Sequence, residues 1–150
     1  MYLSLKDILE SFEEPTKDHP IKYNVKDDYN STINDFDGED GHGVYLFLKK
    51  PEMEYRNILY IGMSGTMHDT GKMSKQTIKK RLRRKQGKEM RKEWVPNIMK
   101  KKGETSIYIR YFITFDPNGD KKKLPVYIEA TLMQDYFENR NDLPPWNKSF

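Results

Sequence analysis

Four residues of this chain have types and surroundings that could do chemistry: Tyr45, Tyr60, Arg81 and Glu129. Tyr45 lies in Gly43-Val44-Tyr45-Leu46-Phe47-Leu48 and Tyr60 in Asn57-Ile58-Leu59-Tyr60-Ile61-Gly62, both β-branched or aromatic runs bounded by Gly, Pro or Asn. Residues 49–56 between them are too polar and Pro-broken to continue either run, so the pair is predicted as a β-hairpin. Alternation puts Tyr45 and Phe47 on one face of the first strand, and Ile58 and Tyr60 on one face of the second, so the two phenols can meet. Phenols so placed can hydrogen-bond a reactant; they can equally be cross-strand packing with hydroxyls at the rim. Glu129 is a lone acid among Tyr127, Ile128, Ala130 and Leu132. A carboxylate half withdrawn from water costs free energy unless a cation or hydrogen-bond donors compensate it, and a salt bridge to a nearby Lys or Arg would suffice. Arg81 can grip an anion bidentately with a charge that does not titrate away, or be one more solvated cation, with Arg83 and Arg84 as equals by composition.

The elements that must position these groups follow from the rest of the pattern. At 150 residues the chain fits one domain with a real core. A third of the residues are charged and mean hydropathy is −0.95, yet 13% are aromatic and the apolar runs are clear, which argues against wholesale disorder. There is no Cys, which excludes disulfides, thiolate zinc sites and a cysteine nucleophile. The start of the sequence lacks a basic n-region and a long apolar core, and no apolar run approaches the eighteen or so residues of a membrane span, so a soluble, cytoplasmic protein without membrane contact is expected. Net charge is only +4, but residues 1–42 are rich in acids while residues 72–102 hold a dense run of Lys and Arg. Such a run attracts a polyanion, or forms a solvated helical face.

In chain order, Leu5, Ile8, Leu9 and Phe12 recur at helical spacing, with Ser4 and Asp7 as a capping-box-like start, predicting a helix over 4–13. Residues 14–41 read as an extended arm with one β-like patch at 21–25. Residues 63–73 form a Gly/Ser/Thr-rich loop of functional length. Ser74 is placed to cap a helix over 75–86 that Gly87 stops, with Ile78 and Leu82 as its apolar stripe. A second basic helix over 88–101 buries Trp94 and Ile98, and Gly103 ends it. Ile107, Ile109, Tyr111 and Ile113 alternate along a strand over 105–115 that completes a three-stranded sheet. Pro125 opens a helix to residue 139 with Ile128, Leu132, Met133, Tyr136 and Phe137 toward the core.

Taken in order, Gly43-Val44-Tyr45, Tyr60-Ile61-Gly62, Ile78-Lys79-Lys80-Arg81-Leu82, Ile128-Glu129-Ala130 and Pro145-Trp146-Asn147 resemble the motifs of the GIY-YIG nuclease superfamily, over roughly residues 42–150. The resemblance implies an α+β fold, a small central three-stranded antiparallel sheet flanked by helices; the N-terminal helix and arm over 1–41 lie outside it. It implies a magnesium-dependent endonuclease hydrolysing DNA phosphodiesters, restriction-like or of mobile-element type. Tyr60 would be general base, Tyr45 would orient the water or hold the phosphate, Arg81 would grip the scissile phosphate, and Glu129 would hold a single Mg2+, with Mn2+ as the alternative ion. Asn147 would brace the site through its amide, or be an ordinary turn residue.

One position departs from the family. Many members carry a lysine directly after the Tyr-Ile-Gly, where this chain has Met63, so the cation near Tyr60 is expected from Lys72, with Lys75 second. A free phenol titrates near pH 10, so a base role demands such help. The expected partner is double-stranded DNA, contacted by Lys75, Lys79, Arg83, Arg84, Lys88 and Arg91; a homodimer is left open as the way to cut both strands. The competing class is a nucleic-acid-binding module on the same fold without catalysis, which the Met63 departure favours.

Overall fold

The two aromatic runs do form adjacent strands, and the rest of the fold is built outward from them. The computed structural model describes residues 5–148. In chain order these form α1 (Leu5–Leu9), β1 (Ile21–Asn24), α2 (Tyr29–Asp35), β2 (His42–Leu48), β3 (Ile58–Ser64), α3 (Ile78–Leu82), β4 (Lys85–Gln86), β5 (Glu89–Met90), α4 (Arg91–Lys102), β6 (Ser106–Phe115) and α5 (Pro125–Arg140). The fold is mixed α+β. Its sheet has four strands in the order β1-β6-β2-β3, all neighbours antiparallel, rather than the three expected.

The fourth strand comes from the segment read as an arm. Ile21 and Tyr23 are buried and pair with Ile109 and Ile107, so the β-like patch at 21–25 caps the outer edge of β6. The helix α2 was also missed. Asp28 caps it by accepting from the Ser31 amide at 2.9 Å, and Tyr29 and Ile33, four apart, bury its one apolar face. The first helix is shorter than expected, and the cap proposed at Ser4 lies outside the described residues.

Alternation along β2 sorts its side chains onto two cores. Val44, Leu46 and Leu48 join Ile61, Phe112, α1 and α5 on one face. Tyr45 and Phe47 join Ile107, Ile109, Tyr111, Ile78, Leu82, Trp94 and Trp146 on the other. Ile58 and Tyr60 do not share a face as expected. Phe47 pairs with Tyr60 but Leu48 pairs with Ile58, so Leu59 is an extra residue in β3, and this bulge turns both Leu59 and Tyr60 toward the aromatic core.

The basic segment differs most from expectation. Instead of a helix over 75–86, α3 spans five residues, and the chain then makes a two-stranded hairpin in which Lys85 pairs with Met90 and Gln86 with Glu89. Gly87 is the first residue of its two-residue turn, with φ 64°, a value such hairpins assign to glycine. The second helix therefore starts at Arg91 rather than residue 88. At its other end Gly103 adopts the expected left-handed cap, φ 77°. In α5, Ile128, Leu132, Met133 and Tyr136 are buried as expected, whereas Phe137 is half exposed.

Candidate functional site

The site lies at the end of β2 and β3, where α3 from one layer and α5 from the other both pack on these two strands. A polar cleft of about 400 Å³ opens there, lined by Tyr45, Tyr60, Met63, Ser64, Gly65, Thr66, Gln76, Arg81 and Glu129. Four of the sequence-selected residues thus come together from four different elements.

Each is set by local structure. Strand pairing stacks the Tyr45 and Tyr60 rings at 6.1 Å between centroids and 28° between planes. Arg81 is aimed by α3, whose start is fixed by Asp40: its carboxylate accepts from Thr77 Oγ1 at 2.7 Å and from the Lys79 amide at 3.1 Å, while the Gly41 carbonyl accepts from the Ile78 amide at 2.8 Å. Ser74, the cap expected, accepts from the Thr66 amide at 3.2 Å instead and ties down the loop. Asp40 thus positions the helix that carries Arg81, a role that sequence reasoning missed because it stands among the many acids of residues 1–42 with no partner in view.

Glu129 sits on α5 facing the cleft. Among the described residues its carboxylate makes no ion pair within 4 Å. Burial pushes it up to about 7, with the Arg81 guanidinium pulling the other way. That is the electrostatic condition a divalent cation relieves. The donor set is one carboxylate, and no group of three His, Cys, Asp or Glu able to hold a metal occurs among the described residues. One carboxylate with water completing the shell is how Mg2+ is commonly held, so the residues fit that ion better than a transition metal.

The two tyrosines are not equivalent. Tyr60 is slightly exposed, at 7%, and its hydroxyl donates to Gln86 Oε1 at 3.1 Å. Tyr45 is fully buried and its hydroxyl accepts from Arg91 Nη1, so it forms the floor of the cleft rather than an exposed hydroxyl for substrate. Burial pushes the Tyr45 phenol up to about 12, the Arg91 guanidinium opposing it, and it stays protonated under ordinary conditions.

Arg91, expected on the DNA-facing surface, is instead completely buried. Its guanidinium lies 5.2 Å from the Tyr45 ring centroid and 5.6 Å from that of Tyr60, and Nη2 donates to Gln86 Oε1 at 2.8 Å. Two aromatic faces and two polar atoms, the Tyr45 hydroxyl oxygen and Gln86 Oε1, replace the carboxylate that such a charge usually needs. Lys72 and Lys75, proposed as the cation for Tyr60, are exposed and do not line the cleft. Lys72 rides on a small turn closed by the Met67–Met73 bridge and by the His68 amide on the Lys72 carbonyl.

Asn147 braces the site from outside the cleft. Its side chain accepts from the Ile61 amide and donates to the Ile61 carbonyl, both at 3.0 Å, and the Trp146 amide donates to the Leu59 carbonyl at 2.8 Å. The tail thus satisfies the open edge of β3 on both sides of Tyr60. Of the other residues expected to meet DNA, Lys75, Arg84 and Lys88 are exposed. Lys79 Nζ is held by the Phe36 carbonyl, and Arg83 Nε donates to the Lys79 carbonyl at 3.1 Å. Beyond Gln86 the surface continues into two adjoining hollows of about 230 and 350 Å³, between Trp94 and Trp146, rimmed by Lys88, Lys101, Lys102 and Lys148.

No helix among the described residues is long and apolar enough to cross a membrane. Comparison of the chain with protein-family models, with curated proteins and with solved structures finds no match.

Proposed function

We propose that this protein is a magnesium-dependent endonuclease hydrolysing DNA phosphodiesters, restriction-like in type, with the GIY-YIG arrangement that its motifs resemble. The observation that carries the reading is the convergence of Tyr60, Arg81 and Glu129, from β3, α3 and α5, on one polar cleft. Phosphodiester hydrolysis needs a positioned water, neutralised phosphoryl oxygens and a stabilised leaving oxygen. Arg81 offers a fixed cation for the phosphate. Tyr60 takes a proton from the water as it passes its own to solvent water in the cleft, while the water oxygen bonds to phosphorus and the bond to the leaving oxygen breaks; the leaving oxygen is protonated from solvent. Arg91, its guanidinium 5.6 Å from the Tyr60 ring centroid, is the cation beside Tyr60, in place of Lys72 or Lys75. Mg2+ held by Glu129 would supply charge neutralisation at the phosphate. The exposed Lys75, Arg84 and Lys88, with the lysines around the Trp94–Trp146 hollows, give a double-stranded DNA partner a basic surface.

The test is cleavage of DNA in Mg2+ and its arrest by chelation, with Glu129→Ala as comparison. Magnesium-dependent cutting by the intact protein and none by the variant is expected. Cutting that survives both changes overturns the metal role.

A second reading, a nucleic-acid-binding module without catalysis, is favoured by two observations: neither Lys72 nor Lys75 lines the cleft, and Gln86 occupies the Tyr60 hydroxyl. It predicts salt-sensitive binding of DNA by the intact protein with no cleavage in Mg2+ or Mn2+.

A further inference from the structure

Gln86 comes from a hairpin that no feature of the spacing predicted, yet besides the Tyr45 hydroxyl its amide is the only group that the Arg91 guanidinium holds by a hydrogen bond among the described residues. The orientation of that amide follows from chemistry. A guanidinium has only donors, so the Gln86 atom 2.8 Å from Arg91 Nη2 has to be the oxygen. Turning the amide would press its NH2 group against a buried cation. The Tyr60 hydroxyl lies 3.1 Å from this same oxygen and can therefore only donate to it. Its proton being committed to Gln86, the phenol oxygen keeps its lone pairs for other partners, and the cleft is where Tyr60 is open.

We propose that Gln86, locked by Arg91, is the positioning residue that turns the Tyr60 hydroxyl into a hydrogen-bond acceptor toward the cleft, so that the attacking water is docked on Tyr60 before any proton moves. This rests on the nuclease reading of the cleft and adds to it a residue that touches neither substrate nor metal. It also separates the tyrosines: Tyr45 accepts from Arg91 and holds the lock, while Tyr60 donates to Gln86 and faces the reactant. The polar and charged groups facing Tyr60 are Tyr45 from β2, Arg91 from α4 and Gln86 from β4, with Arg81 from α3 and Glu129 from α5 across the cleft, and the Phe47 and Trp94 rings pack beside it. No other acceptor among the described residues is bonded to the Tyr60 hydroxyl, so the assignment turns on Gln86 alone.

The test compares the intact protein with Gln86→Met, which keeps the length of the side chain and removes the acceptor. Two readouts are taken: the proton NMR signal of the Tyr60 hydroxyl, assigned by its loss in Tyr60→Phe, and the kcat and KM of DNA cleavage in Mg2+. The expected result is a slowly exchanging Tyr60 hydroxyl proton in the intact protein that is lost in Gln86→Met, with kcat lower by at least about tenfold and KM little changed. A hydroxyl signal that persists in Gln86→Met, or a lost signal with unchanged kcat, overturns the proposal. An intact protein that cuts no nucleic acid overturns the nuclease reading instead, and the hydroxyl signal then decides the hydrogen-bond arrangement by itself.

Discussion

The ring of Tyr45 fills the space above Gly62, its cross-strand partner: a Cβ at position 62 would come within 2.4 Å of Tyr45 Cζ and 2.5 Å of its hydroxyl oxygen. The glycine closing the Tyr60-Ile61-Gly62 run is thus required by the tyrosine of the other run. Gly43 is required just as strictly, because a Cβ there would lie 1.8 Å from the Phe112 carbonyl oxygen. Gly62 and the two stacked tyrosines form one packing unit, against which the Arg91 guanidinium lies.

Gly62→Ala should therefore displace Tyr45 and with it the Arg91 lock. Overpacking of this kind costs about 1–3 kcal/mol. Urea unfolding should show a lowered midpoint with an unchanged slope. An alanine variant as stable as the intact protein would mean that Tyr45 does not occupy this position.

Glu129 makes stability depend on pH. Its folded-state pKa, about 7, lies above the ordinary 4.5, so the folded protein holds a proton that the unfolded chain has released. Stability from this group is intact below about pH 4.5, falls as pH rises to 7, and stays lower beyond. Glu129→Gln should be more stable than the intact protein at pH 8, by on the order of 1 kcal/mol once partial solvent access is allowed for, and equal to it at pH 4.5. Millimolar Mg2+ should raise the Tm of the intact protein at pH 8 and leave Glu129→Gln unmoved. A glutamine variant less stable at pH 8 would contradict this.

Asn147 acts through the edge of β3. Asn147→Ala should lose about 1–2 kcal/mol, and the Ile61 amide should exchange its hydrogen faster while amides of β6 do not. Unchanged protection at Ile61 would show that the tail does not close this edge.

DNA affinity should separate the exposed from the buried cations. Arg84→Ala and Lys88→Ala should each flatten the dependence of log K on log salt by about 0.9 if each meets a phosphate. Arg91→Met should leave that slope unchanged while lowering stability, since the Tyr45 hydroxyl loses its donor and the Gln86 oxygen loses one of its two. A salt slope reduced in Arg91→Met would return Arg91 to the surface.

Much of this architecture was legible from side-chain periodicity. Alternation gave β2 and β6, Pro125 and the Ile128–Leu132–Tyr136 spacing gave α5, and Gly103 marked the end of α4. The bulge at Leu59 was not legible, because one extra residue leaves composition unchanged while reversing the face. The hairpin at Lys85–Met90 was hidden by residues that favour helix, and Gly87 served equally as stop or turn. Burial of Arg91 did have a signal: it stands three and four residues before Trp94 and Val95, on the apolar face of α4, but its charge spoke for the surface. Within the site, Tyr60, Arg81 and Glu129 could be selected by motif order. Gln86 and Asp40 could not, since their roles exist only through partners distant in sequence.

The most direct test of the central claim is conversion of supercoiled plasmid in Mg2+ by the intact protein and by Tyr60→Phe, Arg81→Ala and Glu129→Ala, with DNA binding of all four followed without metal. The account predicts nicking or linearisation by the intact protein and a loss of at least about a hundredfold in each variant, with binding retained in Tyr60→Phe and Glu129→Ala. Binding by all four with no cleavage of any DNA or RNA in Mg2+ or Mn2+, or cleavage equal in all four, would contradict it.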